Sequence, residues 1–492
     1  MIERRLLAIG FLAVLTAFMS AVPAGASQSS FRNPVLPESA TGNDSPDPWM
    51  FRADGKYWLT YTTAGHVEVR SAKVVAGLAS ATPVNLWPPE GTTEPAERSL
   101  GVWAPEIHRV KGPNGWRWYV YYSATGPDSV LGADTHRMYV LESKSKSPAG
   151  PYRFKGRLMV PEPYAIDATV GYLNGQLYLF YAGGTSWNPT SILVMKMSNP
   201  WTVQGEPTVV SEPTESWEKV VAPINEGPEI LIRGKRLHLI YSGSWCGSGQ
   251  YAMGRLSVPL KADLMDPAVW STAKVAGAVF AGDPERGVFG PGHGSFFTSP
   301  NGRESWMVYH ATEDIRGCFT GGLRTTRIQR FGWNPDGTPN FRKPVSLATD
   351  VAAPGGDRTI AVQTESALAP SASATRLEER QFFGYAGMTL TPSGPNSALR
   401  AIPFEVPKTG TYLLWTRVMA GPDSPPLTWL RPDGRKVSRK TRRPAPQAIE
   451  IKLGKARLNA GTRKLRLRST APVSIDQLRL QPAARDSTVH AR

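Results

Sequence analysis

Cysteine is almost absent from this sequence. Only Cys246 and Cys318 occur among 492 residues, and the chain has neither a CxxC nor an HExxH pattern, so zinc and dithiol redox chemistry are not indicated. Each cysteine follows one of the tyrosine-ending strands described below. One disulfide between them is therefore predicted for an oxidising compartment, with two free thiols as the alternative.

Long apolar runs are also missing beyond the N-terminus. Arg4 and Arg5 precede an apolar run from Leu6 to Met19 and then small residues, which is the pattern of a secretory signal peptide. We predict that residues 1–26 are such a peptide, with a membrane anchor as the alternative, although the run is short for a bilayer span. No later stretch is apolar enough to cross a membrane, so a secreted protein without a membrane span is predicted.

Motifs for nucleotide binding and serine-hydrolase chemistry are absent as well. The chain has no G-x-x-x-x-G-K phosphate loop, no dinucleotide fingerprint and no G-x-S-x-G elbow. The net charge of +16 is uneven, because residues 351–492 contain 23 Lys and Arg against 10 Asp and Glu, or +13. For an exported chain, the basic run over residues 431–443 indicates a solvated hairpin or a contact with an acidic polysaccharide, and nucleic acid is not expected.

A repeated aromatic strand is the main positive feature. A glycine followed by an apolar strand that ends in tyrosine occurs five times, and the terminal tyrosines are 61, 59, 60 and 68 residues apart. These strands are Gly55–Tyr61, Gly115–Tyr122, Gly175–Tyr181, Gly234–Tyr241 and Gly302–Tyr309. A period of this length accommodates the four strands of one propeller blade. The sequence therefore predicts an all-β protein with a five-bladed β-propeller over residues 27–347, whose fifth blade is completed by a strand near residues 31–36.

Each repeat carries one ionisable residue 14 to 16 positions before its tyrosine. These residues are Asp47, Glu106, Asp167, Glu226 and His293. Equivalent positions of a propeller form a ring, so we expect the five groups to meet near the axis. Carboxylates brought together repel each other and lose water, which raises the pKa of at least one and separates acid from base, as glycosidic bond cleavage requires. Capping of a turn or pairing with arginine is the alternative for any one of them.

The composition changes after residue 347. Residues 348–375 are rich in Ala, Pro, Gly, Ser and Thr and are predicted to be a linker and the entry to the next domain. Residues 376–482 contain several strands and no helical pattern, which predicts a jelly-roll-like β-sandwich, and residues 483–492 form a tail.

The motifs around the ring residues resemble those of glycoside hydrolase family 43, in its arabinofuranosidase-like branch. They are SPDPWMF around Asp47, VWAPEI around Glu106, AIDATV around Asp167, INEGPEIL around Glu226, GPGHGSFF around His293, and TTRIQRFGWNPDGTPNF from Thr325. The resemblance extends from about Phe31 to Phe341. It implies a five-bladed propeller that hydrolyses glycosides with inversion of configuration.

The resemblance also implies roles for individual residues. Asp47 is expected to be the general base, Glu226 the general acid, and Asp167 the residue that orients the acid and modulates its pKa. His293 matches an axial histidine associated with a bound ion, so a structural Ca²⁺, held directly or through water, is expected near the axis, and no organic cofactor is. The residues expected to bind substrate are Trp103, Glu106, Trp245 and Arg324, of which the two tryptophans offer faces for stacking on a sugar or belong to the core.

The C-terminal module is similar, more faintly, to family 6 and related carbohydrate-binding modules, through Gly410-Thr411-Tyr412 and Ile475-Asp476. This similarity implies Glu365 and Asp476 as calcium ligands and Tyr385 or Trp429 as a sugar platform, with surface or core positions as the alternative. The resemblance to family 43, together with the appended module, predicts a monomeric, secreted, exo-acting α-L-arabinofuranosidase that acts on arabinan or arabinoxylan. The alternatives are a β-xylosidase or β-galactofuranosidase of the same fold, and a propeller that binds glycan without cleaving it.

Overall fold

The structure, a computed structural model, describes residues 30–36, 45–79, 81–127, 135–317, 323–357, 360–363, 374–377, 387–390, 400–406, 409–441 and 447–482. The regular structure of these residues is almost entirely β-strand, apart from short 3₁₀ turns and the four-residue helix α1 (Pro267–Trp270). None of the described helices is long and apolar enough to cross a membrane. The predicted all-β class is confirmed.

Five antiparallel sheets follow one another and form the blades of the propeller. A short strand, β1 (Ser30–Phe31), precedes them. Blade 1 contains β2 (Trp49–Ala53), β3 (Lys56–Thr60), β4 (Val67–Ala72) and β5 (Val84–Trp87). Blade 2 contains β6 (Leu100–Gly112), β7 (Gly115–Thr125), β8 (Arg137–Ser143) and β9 (Tyr152–Arg157). Blade 3 contains β10 (Tyr164–Leu173), β11 (Gln176–Gly184), β12 (Ser191–Asn199) and β13 (Thr202–Ser211).

The last two blades have the same order. Blade 4 contains β14 (Asn225–Arg233), β15 (Arg236–Gly243) and β16 (Ala252–Pro259). Blade 5 contains β17 (Phe289–Thr298), β18 (Ser305–Thr312), β19 (Thr325–Trp333) and β20 (Pro339–Asn340). In every blade the strands that are consecutive in sequence are also hydrogen-bonded neighbours. Each blade is therefore a local meander, as expected for a repeat of about 60 residues.

The repeat tyrosines lie at the ends of the second strands and are buried in the apolar layers of the propeller. The hydroxyl groups of Tyr181 and Tyr241 donate to carboxylates of Glu162 and Glu218, each over 2.6 Å. A buried aromatic side chain of this kind contributes about 1.5 to 3 kcal/mol through apolar area alone, and the paired hydroxyl avoids the cost of an unsatisfied polar atom. Apolar burial is common to all five tyrosines, and the paired hydroxyl adds to it at Tyr181 and Tyr241.

The N-terminal segment connects blade 5 with blade 1, but not as a blade strand. β1 pairs with β21 (Val351–Ala352) in a separate two-stranded sheet. The side chain of Asn33 donates to the carbonyl of Ile328 over 3.0 Å and accepts from its N–H over 2.9 Å. The expectation that residues 31–36 complete the fifth blade as a strand is therefore wrong. This segment closes the ring through the side chain of Asn33, a backbone hydrogen bond from the N–H of Val35 to the carbonyl of Thr326 (2.8 Å), and apolar packing.

The C-terminal module is a sandwich of two antiparallel sheets. Its strands are β22 (Ile360–Gln363), β23 (Ala374–Leu377), β24 (Gly387–Leu390), β25 (Arg400–Val406), β26 (Gly410–Ala420), β27 (Leu427–Leu430), β28 (Lys436–Arg439), β29 (Gln447–Leu458), β30 (Gly461–Arg468) and β31 (Val473–Pro482). The first sheet has the order β23-β24-β31-β26-β29, with β22 also pairing β31, and the second has the order β25-β30-β27-β28. β22 and the start of β23 thus lie within residues 348–375, the predicted linker and domain entry.

The core of the sandwich contains one of the residues that were expected to bind sugar. Trp429 is fully buried among Leu414, Leu467 and other apolar residues, so it belongs to the core and is not a sugar platform. Within the basic run, Arg431 is also buried, and it pairs with Asp433 and donates to the carbonyl of Leu453 over 3.0 Å. Glu365 and Tyr385 lie outside the described residues.

Candidate active site

A left-handed backbone residue marks the first strand of every blade. The five residues are Asp47 (φ 55°), Ala104 (φ 40°), Asp167 (φ 59°), Gly227 (φ 55°) and His293 (φ 41°). In blades 2 to 5 the pairing with the second strand shifts register at this point, which is the signature of a β-bulge. A bulge turns side chains out of the regular alternation, and left-handed residues of this kind concentrate at functional sites.

The bulges correct the predicted equivalence of the five ionisable residues. Asp47, Asp167 and His293 occupy the left-handed position itself. Glu226 lies one residue before its bulge residue, Gly227. Glu106 lies two residues after Ala104, in the position that Thr169 and Glu229 occupy in blades 3 and 4. The distance counted from the tyrosine could not reveal this offset, because it also includes the length of each hairpin.

A ring of hydrogen bonds joins the bulges of neighbouring blades. In four blades, the residue directly after the repeat tyrosine accepts from the backbone N–H of the next blade's left-handed residue. The pairs, with the donating N–H first and the accepting side chain second, are Ala104 and Thr62 (2.7 Å), Asp167 and Ser123 (3.2 Å), His293 and Ser242 (2.8 Å), and Asp47 and His310 (3.1 Å). In blade 3 that residue is Ala182, and the N–H of Gly227 donates instead to Oδ2 of Asp167 over 2.9 Å. None of these acceptors was predicted, although counting one residue past each tyrosine would have found them.

Asp47 lies among cationic and hydrogen-bonding groups. Its Oδ1 is 3.3 Å from Nδ1 of His293, 3.3 Å from Nδ1 of His310 and 3.7 Å from Nη1 of Arg324. Its Oδ2 accepts from the hydroxyl of Thr62 over 2.7 Å. Burial raises the pKa of Asp47, but the charges of His293 and Arg324 and the contact with His310 outweigh it and hold that pKa well below its ordinary value. Asp47 is therefore ionised, as a general base must be.

Glu226 has the opposite environment. Burial, followed by the neighbouring charge of Asp167, raises the pKa of Glu226 to about 7. Its Oε1 accepts from the hydroxyl of Tyr251 over 2.7 Å. Burial also raises the pKa of Asp167 well above its ordinary value, with the charge of Asp47 as the next cause. Glu226 thus keeps a proton into the neutral range, where it can serve as a general acid.

A second layer of carboxylates lies next to these groups. Oε2 of Glu106 is 2.6 Å from Nε2 of His108, and the hydroxyl of Thr169 donates weakly to Oε2 of Glu229 over 3.5 Å. Burial raises the pKa of Glu106 and of Glu229 well above the ordinary value, and in Glu229 the charge of Glu106 adds to the effect. A role for Glu106 in substrate binding remains a prediction, and its described hydrogen bond is to His108.

The family of this chain follows from its match to a family model. Residues 31–339 match the family model described as glycosyl hydrolases family 43. The chain belongs to this family. It is a glycoside hydrolase, as the resemblance of its motifs predicted, and its five-bladed propeller is the fold that the resemblance implied.

Named relatives of this family-43 hydrolase include three arabinofuranosidases. The extracellular exo-α-(1→5)-L-arabinofuranosidase of Streptomyces avermitilis is 37% identical over 353 residues, which are 69% of each chain. The enzyme of the same name from Streptomyces chartreusis is 32% identical over 63% of this chain and 92% of its own. The crystal structure of the α-L-arabinofuranosidase from Lactobacillus brevis superposes with a TM-score of 0.58 at 32% identity, over 65% of this chain and 98% of that one.

The remaining predicted site residues of the family-43 hydrolase occupy different surroundings. The ring of Trp103 stacks on His136, with the two centroids 3.6 Å apart. Arg324 reaches Asp47, whereas Trp245 lies half-buried in the turn after β15. Cys246 is half-buried in the same turn, and Cys318 lies outside the described residues, so their pairing remains a prediction.

The residues around His293 do not form a cage for a metal ion. Within the described part of the chain, no group of three His, Cys, Asp or Glu side chains converges as metal ligands. Nδ1 of His293 faces Asp47, whereas Ca²⁺ takes six to eight oxygen ligands. The described side chains therefore do not fit a directly ligated calcium site.

Proposed function

We propose that this family-43 hydrolase is a secreted, exo-acting α-L-arabinofuranosidase that inverts configuration and removes arabinofuranose from arabinan or arabinoxylan. The names of its relatives in Streptomyces and Lactobacillus support the sugar, and the word "exo" in two of them supports the mode of action. Their description as extracellular supports export, as does the signal-like pattern of residues 1–26. We also propose that the protein acts as a monomer.

The opposite displacement of two pKa values is the observation that carries the catalytic assignment. Asp47 is ionised and can remove a proton from the attacking water. Glu226, with a pKa of about 7, is protonated at mildly acidic pH and can give its proton to the leaving oxygen. Asp167 acts on the proposed acid in two ways. Its charge raises the pKa of Glu226, and its carboxylate accepts a hydrogen bond from the N–H of Gly227, the residue after Glu226.

The identity of the sugar that the enzyme releases tests the substrate assignment. Purified protein should hydrolyse p-nitrophenyl α-L-arabinofuranoside faster than the corresponding β-xyloside and β-galactofuranoside, and it should release single arabinose units from arabinan. An Asp47→Ala variant, which should be inactive whatever the leaving group, serves as the control for contaminating activity. A preference for the xyloside or the galactofuranoside would replace the substrate but keep the mechanism. Hydrolysis of none of the three would favour a propeller that binds glycan without cleaving it.

A further inference from the structure

Tyr251 connects the proposed acid with the surroundings of the proposed base. It directly precedes β16 and is fully buried. Its hydroxyl donates to Oε1 of Glu226 over 2.7 Å. Its ring lies parallel to that of His310, with an angle of 5° between the planes and the centroids 5.5 Å apart. Nδ1 of His310 in turn accepts from the N–H of Asp47 and is 3.3 Å from Oδ1 of the same residue.

We propose that Tyr251 is a positioning residue for the acid step: it fixes the carboxyl group of Glu226 through Oε1 so that Oε2 is presented to the leaving oxygen. This inference rests on the proposed function of Glu226 as the general acid. The ring of Tyr251 stacks on the ring of His310, which contacts Asp47. This stacking holds the tyrosine in place and so fixes the position of the proposed acid relative to Asp47.

The direction of the hydrogen bond places the acidic proton. Burial, followed by the charge of Glu226, raises the pKa of Tyr251 well above its ordinary value, so the phenol keeps its proton and acts as a donor. In a neutral carboxyl group the carbonyl-type oxygen is the stronger acceptor, so a donor at Oε1 favours the form in which the acidic proton is on Oε2. When it passes to the leaving oxygen, the new carboxylate retains the hydrogen bond from Tyr251, which is stronger to a charged acceptor.

The ring of Tyr251 packs tightly against the backbone of Gly292. A Cβ atom added at Gly292 would lie 2.2 Å from the ring of Tyr251, so only glycine at that position leaves room for it. The charged and titratable groups that act on Glu226 are Asp47, Asp167, His293 and Tyr251, and Cys246 and His310 also lie near the tyrosine. Among these groups, Tyr251 is the one that donates a hydrogen bond to Glu226.

Removal of the hydroxyl alone tests this inference. Tyr251→Phe keeps the ring on His310 but frees the carboxyl group of Glu226. We expect kcat to fall about tenfold on arabino-oligosaccharides, whose leaving groups need a proton, because the carboxylate that forms as the proton leaves loses one hydrogen bond. On 2,4-dinitrophenyl arabinofuranoside, which needs no proton, kcat should stay within about twofold of wild type, and KM should be unchanged on both substrates.

Tyr241→Phe is the matched control. Tyr241 is equally buried, and its hydroxyl donates to Oε1 of Glu218 over 2.6 Å, away from the ring of bulges. Its loss should lower the melting temperature by a similar amount without changing the ratio of the two rates. Equal losses of kcat on both substrates in Tyr251→Phe would overturn the positioning role. If Glu226→Ala also failed to distinguish the substrates, the proposed function of Glu226 itself would be wrong.

Discussion

The carboxylate of Asp167 accepts a hydrogen bond over 2.9 Å from the backbone N–H of Gly227, the residue that follows Glu226. At the other four blade junctions a side chain directly after the repeat tyrosine accepts the equivalent N–H. Blade 3 has Ala182 at this position, which cannot accept. The break in the repeat therefore leaves the N–H of Gly227 to Asp167, and this bond connects the proposed modulator with the bulge next to the proposed acid, Glu226.

Restoring the repeat should weaken this bond. In Ala182→Ser the new hydroxyl is placed to accept from Gly227, as Ser123 and Ser242 accept at their own junctions. Asp167 would then lose its partner, and we expect kcat to fall about tenfold, because one hydrogen bond is worth up to about 1.5 kcal/mol. Steady-state kinetics on arabino-oligosaccharides measure the effect. Ala182→Cys is the control, because it adds similar bulk but a weak acceptor, and equal losses in both variants would show that crowding is the cause.

The tyrosine period and the six motifs were sufficient to predict the propeller and the three catalytic candidates. The offsets of Glu106 and Glu226 could not be predicted, because a bulge changes register without leaving a fixed mark in the sequence. Tyr251 was also missed, since it precedes a third strand and is not part of the tyrosine repeat. Its contact with Glu226 depends on tertiary packing, because the residue before β16 lies against Gly292 of β17 in the next blade. His310, by contrast, was accessible from the repeat, as the residue after Tyr309.

Glu226 should make stability depend on pH. Its pKa in the folded protein is about 7, against an ordinary value of 4.5. The unfolded chain therefore releases this proton at lower pH than the folded protein, and the folded state loses stability as the pH rises from 4.5 to 7. Glu226→Gln removes the ionisation and should be more stable than wild type by roughly 3 kcal/mol at pH 8, but not at pH 4. Urea unfolding at both values measures this, and an equal difference at the two pH values would contradict the assignment.

His293 should contribute to both rate and stability. Its Nδ1 lies 3.3 Å from Asp47, and its N–H donates to Ser242 over 2.8 Å. His293→Asn removes the imidazole with a residue that tolerates a left-handed backbone, so we expect kcat and the melting temperature to fall together. An ion held through His293 would further make the wild type, but not the variant, sensitive to EDTA. If neither the substitution nor EDTA changes rate or melting, the ion-site prediction is wrong.

The exposed cations of β30 should bind acidic polysaccharide. Lys464, Arg466 and Arg468 alternate with two buried leucines, and none of the three forms an ion pair with a described residue. Their replacement by glutamine should weaken retention on polygalacturonate at low salt, and the difference should vanish near 0.5 M salt, where such charges are screened. Affinity electrophoresis measures retention, while activity on an aryl arabinofuranoside should not change.

A matched variant separates this surface from net charge. Lys73, Lys235 and Lys261 are exposed on the propeller, and their replacement by glutamine removes the same number of charges. If this control weakens retention as much as the β30 variant, the attraction is a property of the whole cationic protein and not of β30.

The leaving-group dependence of Glu226→Ala and Asp47→Ala tests the catalytic assignment most directly. Glu226→Ala should lose roughly 10²- to 10⁴-fold in kcat/KM on arabino-oligosaccharides but much less on 2,4-dinitrophenyl arabinofuranoside, because only the poor leaving group needs a proton. Asp47→Ala should lose activity on both substrates alike, since water must be activated in either case. NMR should show that the wild type first releases arabinose of inverted configuration. Retained configuration, or equal losses on both substrates in Glu226→Ala, would contradict the assignment.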